Sequence, residues 1–96
     1  MAGEGDDPAC ALCGRPLGRR RERHHLIPRR YGGRETVLLH PICHRKIHAL
    51  FRESELRRRY HDIAALRAHP EIAAFIRWLA DKPPDFHRRT EPPRRR

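Results

Sequence analysis

Two short pairs of metal-binding residues, Cys10-x2-Cys13 and His40-x2-Cys43, limit what this chain can fold into more than any other feature. Each pair spans one tight turn, so both of its side chains can reach a single ion, and Gly14 relaxes the turn behind the first pair. An ion closed by four protein ligands has no open position and serves structure rather than chemistry. The chain needs such a staple. Its 96 residues bury too little apolar surface to be comfortably stable unaided, and 3 cysteines, an odd number, argue against a disulfide framework. The expected structural zinc therefore sits on Cys10, Cys13, His40 and Cys43. The alternative is that His40 only ends a strand and another of the 8 histidines is the fourth ligand.

Around these pairs the pattern implies a small α+β fold: a treble-clef-like core with a zinc knuckle, a hairpin and a helix, followed by C-terminal helices. Residues 1–8 and 82–96 read as a flexible N-terminal tail and a flexible basic tail, because DKPPDFHRRTEPPRRR combines prolines and charge with almost nothing to bury. Residues 9–52 form the expected core and 53–81 a helical extension packed on it. Arg23–Ile27 and Glu35–His40 read as the strands of a hairpin, with Tyr31-Gly32-Gly33 as turn chemistry between them. Pro41 suits the first position of a helix running to Phe51, with Cys43, Ile47 and Leu50 on one face. Ser54 and Asp62 read as N-caps and Pro70 as the start of a last helix, whose stripe of Ile72, Phe75, Ile76 and Leu79 is core.

A second ligand set uses different residues. His44 and His48 lie four apart on the helix and point the same way, and His24, from a strand packed against that helix, closes a triangle with open positions. Open positions are what catalysis needs. Lys and Arg number 22 against 12 acidic residues, a net charge of +10, which raises the local concentration of polyanions and makes nucleic acid the natural partner. Arg23, Arg29, Arg30, Arg45, Lys46 and Arg52 lie beside the hairpin or on the helix, where they can bind backbone phosphates. The chain has no apolar stretch near the ~20 residues a membrane span needs and no signal-peptide pattern, so a cytoplasmic protein without membrane contact is expected.

The combination of Cys10-x2-Cys13, His24-His25-Leu26-Ile27-Pro28, Gly32-Gly33 and Leu39-His40-Pro41-Ile42-Cys43-His44-Arg45-Lys46-Ile47-His48 resembles the signature of HNH endonucleases over residues 10–52. The resemblance implies a ββα-metal fold, a hairpin and a helix gripping one divalent cation, with His24, His44 and His48 as metal ligands and His25 as general base. It departs from the family pattern at the central Asn, whose place is taken by Glu35, and at His40, which stands where a cysteine is usual.

The implied activity is metal-dependent hydrolysis of phosphodiester bonds in DNA, expected to be double-stranded, by a monomer or homodimer. A neutral His25 takes a proton from the attacking water, and three imidazoles favour Zn, Ni, Mn or Co over Mg, which prefers oxygen ligands. The rival reading is a non-catalytic, zinc-stabilised nucleic-acid-binding module, a degenerate HNH domain. The adjacent pair His24-His25 separates the two, because a structural site needs one histidine there and a nuclease needs a ligand and a base.

Overall fold

The computed structural model describes residues 8–87. The chain begins there with the cysteine knuckle. Ala9 and Pro16 form a bridge, the Cys10 N–H donates to the Arg15 carbonyl at 2.9 Å, and the Gly14 N–H donates to the Cys10 carbonyl at 2.9 Å. Gly14 has φ 80°, in the left-handed region that a residue without Cβ enters without strain. The Ala11 N–H, donating to the Leu38 carbonyl at 3.0 Å, ties the knuckle to the sheet.

The sheet is an antiparallel hairpin of β1 (Glu22–His25) and β2 (Thr36–Leu39), in which Glu22 faces Leu39 and His24 faces Val37. Both strands are shorter than the pattern suggests. After His25 the chain turns through Pro28 into a 3₁₀ turn, Arg29–Tyr31, that ends on Gly32 at φ 84°. Helix α1 (Pro41–Leu50) starts on its proline, with His40 as the extended residue before it and Ile42, Cys43 and Ile47 buried.

Three further helices complete the described residues: α2 (Glu53–Arg58), α3 (Ile63–Ala68) and α4 (Pro70–Leu79). Ser54 lies inside α2 and is not its cap. Arg52 holds that place, and its N–H donates to the Glu55 carboxylate at 2.8 Å, so the helix is closed from within its own first turn. Asp62 caps α3 as expected, accepting from the Ala65 N–H at 2.7 Å, and Pro70 opens α4. None of these helices is long and apolar enough to cross a membrane.

One apolar cluster runs from Leu12 of the knuckle and Leu39 of β2 through Ile47, Phe51, Leu56 and Leu66 to Ile72 and Leu79. Phe75 and Ile76 pack against it half-buried, so the stripe of α4 is core. The α+β architecture with a zinc-knuckle-like Cys/His group, expected from the sequence, is the one observed.

The basic tail expected from residue 82 departs from the structure over residues 82–87, which pack on the body. Phe86 lies against the core, in edge contact with the Trp78 ring at 5.6 Å, and the Arg19 N–H donates to the Asp85 carboxylate at 2.6 Å. The buried Arg15 guanidinium donates to the Lys82 carbonyl at 3.1 Å and to the Pro83 carbonyl. The other expected tail residues, 1–7 and 88–96, lie outside the described residues.

Candidate functional site

The first ligand set forms around the start of α1. The ligand atoms of Cys10, Cys13, His40 and Cys43 all lie within 4.8 Å of one another. Cys10 and Cys13 come from the knuckle, His40 caps α1 and Cys43 sits in its first turn. The structure also fixes which nitrogen of His40 is available. Nε2 lies 2.9 Å from the Pro16 carbonyl oxygen, which can only accept, so Nε2 carries the hydrogen and Nδ1 turns its lone pair toward the Cys13 sulfur, 3.4 Å away.

The three thiols act on one another. Hydrogen bonds from Cys13 and Cys43 draw Cys10 far below the ordinary thiol range, whereas Cys13 and Cys43 are pushed up by hydrogen bonding to Cys10 and by burial. A divalent cation held there would supply the charge that lets all three sulfurs ionise. Arg15 leans the same way, with Nη1 3.7 Å from the Cys13 sulfur. The donor set fits a structural zinc, and the four ligands leave it no open position.

The second set lies one helical step round α1. His24, His44 and His48 present their ring nitrogens within 4.8 Å of one another, and their ring centroids are 5.3, 5.5 and 4.8 Å apart. His24 is 1% exposed, yet neither of its ring nitrogens has a hydrogen-bond partner. Two orphaned polar atoms in the interior cost free energy unless something not made of protein satisfies one of them, and a metal ion does so. Burial, and then the charges of His44, His48 and His25, lowers the pKa of His24 from 6.5 to about 4, which keeps its lone pair available at neutral pH. His44 is oriented from behind. Its Nδ1 donates to the Glu22 carboxylate at 2.9 Å, which leaves Nε2 unprotonated in the neutral ring.

Glu22 is a residue that reading the sequence missed. The available signal was strand alternation, which puts Glu22 and His24 on the same face of β1, toward α1. The same alternation separates His25 from His24: His24 is buried and His25 half-buried, and both line a cleft of about 220 Å³ with His44 and His48. Arg23, Pro28, Arg29, Arg30 and Glu53 complete the lining.

The other sequence-predicted residues divide. Arg52 lines a hollow beside this cleft, and Arg45 is exposed on α1 next to His44. Lys46 is turned elsewhere: two residues from both His44 and His48, it faces away from them, with its Nζ 5.5 Å over the Phe75 ring of α4. Glu35 is exposed and not among the residues lining the cleft, but its backbone carbonyl accepts from the Leu26 N–H at 3.1 Å. The acidic side chain at the cleft is Glu53, from the first turn of α2.

The family model described as HNH endonuclease matches residues 10–50, which include both ligand sets. A protein of Bacillus subtilis strain 168, described as uncharacterized protein YisB, is 42% identical over 78 residues, covering 79% of this chain and 77% of the relative. No solved structure matches the chain significantly.

Proposed function

This chain belongs to the HNH endonuclease family, and from that premise we propose that it is a metal-dependent endonuclease hydrolysing phosphodiester bonds in DNA. The observation that carries the proposal is the division of ligands: a closed Cys/His set beside an open three-histidine set whose innermost member, His24, has both ring nitrogens buried and unpartnered. The first set is sufficient for a structural zinc, so the second points to a further task.

His24, His44 and His48 would hold one divalent ion, Zn, Ni, Mn, Co or Mg. Such an ion supplies Lewis-acid neutralisation of charge at the scissile phosphate. His25, at the cleft wall, accepts a proton from a water molecule as that water's oxygen attacks phosphorus, and the departing 3′-oxygen recovers a proton from solvent. His25 is free for this because alternation along β1 assigns the buried ligand position to His24. Arg23, Arg29 and Arg30 at the cleft, with Arg52 beside it and Arg45 further along α1, bind flanking phosphates and so contribute affinity without reading bases. Lys46, with its Nζ over the Phe75 ring, does not line the cleft and stands apart from this set.

Glu35 takes the place of the family's central Asn, and its contribution runs through the backbone. The bond from the Leu26 N–H to the Glu35 carbonyl pins the turn directly after His25 and so fixes the direction from which His25 enters the cleft. This accommodates a side chain that differs from the family's. The same substitution is the specific observation behind a second reading, a degenerate HNH domain that binds nucleic acid without cutting it.

Incubating the zinc-replete protein with supercoiled plasmid and each of the five divalent ions tests the proposal. Nicking or linearisation that disappears in His25→Ala is the expected result. A wild-type protein that binds the plasmid but leaves it intact with every ion would favour the binding module.

A further inference from the structure

A second hollow, of about 390 Å³, adjoins the histidine cleft. Its own walls are Tyr31, Phe51, Arg52 and Ser54, and Arg30, His48 and Glu53 are common to both cavities. His48 thus belongs at once to the ligand triangle and to the neighbouring hollow. A nucleotide whose phosphate lies over the histidines places its sugar and base, or those of the adjoining nucleotide, at this second cavity.

The rim of the hollow carries flat groups. Tyr31, 37% exposed, has the Arg57 guanidinium 4.9 Å and the Arg30 guanidinium 5.5 Å from its ring centroid. Aromatic rings and guanidinium planes are the side chains on which nucleobases stack, and the two positive charges also suit the adjoining phosphates. Beside them, the Glu53 carboxylate and the Ser54 hydroxyl supply acceptors for the N–H groups on a base edge. None of these groups can meet the face of a base inside a continuous duplex, where each face is covered by its neighbours. They become useful once one base has left the stack, a step that is least costly where the base is unpaired already.

We propose that the Arg30–Tyr31–Arg57 cluster is a stacking platform for one unpaired base next to the scissile phosphate, so that the preferred substrate is DNA with a single-stranded or unstacked nucleotide rather than uninterrupted duplex. The inference rests on the nuclease reading of the adjoining cleft and narrows its substrate.

The test measures binding by zinc-replete, full-length protein carrying His25→Ala, so that no substrate is consumed. The probes are an uninterrupted duplex, the same duplex with a one-nucleotide 2-aminopurine bulge, and the corresponding single strand. The bulged and single-stranded probes should bind about tenfold more tightly than the duplex, with quenching of 2-aminopurine fluorescence. Tyr31→Ala, added to that background, should remove both the preference and the quenching, Arg57→Gln should weaken both, and Tyr31→Phe should keep both. Equal affinity for all three probes, or a preference that survives both Tyr31→Ala and Arg57→Gln, would overturn the platform and leave the nuclease reading standing. Failure of all three probes to bind would overturn the platform together with the nucleic-acid reading beneath it.

Discussion

Cys43 and His44 are adjacent on α1 yet serve different ligand sets, and the contrast between those sets organises the molecule. The Cys43 set is closed: three sulfurs and one imidazole converge where knuckle, sheet and helix meet, and His40 is locked into its tautomer by the Pro16 carbonyl. The His44 set is open: three imidazoles line one side of a cleft whose other walls are arginines, His25 and Glu53. On the proposed reading, the first turn of this helix serves stability and its next two serve chemistry. A closed site fails by unfolding, whereas an open one fails by losing activity while the fold persists.

That contrast is broken most forcefully at Cys43. Metal binding at a structural zinc is folding free energy of roughly 10 kcal/mol or more, at the scale of the whole stability of a small domain. Cys43→Ser should therefore abolish the cooperative thermal transition seen by circular dichroism, and chelating the zinc from wild type should do the same. A cooperatively folded Cys43→Ser chain would mean that the helical core alone suffices.

Protonation acts on the open set. His24 resists protonation until about pH 4 in the fold but takes up a proton near 6.5 when unfolded. Its contribution to stability is thus complete above about 6.5 and is lost as pH falls from there through 4, on the order of 3 kcal/mol in total. Melting temperature against pH, for protein with zinc in the closed site only, should show that slope, and His24→Leu should flatten it.

Neighbouring histidines sharpen the comparison within the open set. His25→Ala should keep fold, zinc and DNA affinity while cleavage falls roughly 100-fold, and added metal should not restore it. His24→Ala should lose activity that excess metal partly restores. Rescue of both variants, or of neither, would erase the distinction between ligand and base.

A smaller effect belongs to Glu22, which holds His44 from behind. Glu22→Ala should weaken metal binding at the three-histidine site about 10-fold to 100-fold without releasing the structural zinc. Calorimetric titration that finds the affinity unchanged would reduce the Glu22–His44 bond to an incidental contact.

How far these features could be read from the chain follows from the range over which each is encoded. Cys10-x2-Cys13, His44-x3-His48, Pro41 and Asp62 act within a turn or two of themselves, and local spacing is enough to place them. Ser54 misled because Arg52, with Glu55 reaching back to its N–H, ends the preceding segment earlier than a search for a capping hydroxyl suggests. Glu22 becomes informative only after β1 packs on α1, which carries its carboxylate to a histidine far along the chain. Asp85 and Phe86 were hidden by composition: a proline-rich, charged segment looks unable to pack, yet Arg15 and the Arg19 N–H hold it and one aromatic ring finds the core. Lys46 shows the converse, because counting positive charge along α1 does not reveal which charges face the cleft.

Whether the two sets are independent sites with separate tasks can be decided by counting metal in the His24/His44/His48 triple alanine variant. Independent sites should leave a folded protein with one tightly held zinc per chain, a wild-type-like thermal transition and no plasmid cleavage under any metal. A triple variant that loses all its zinc and its fold would rule out independent sites, because the cysteines would then be unable to hold the ion without the histidines.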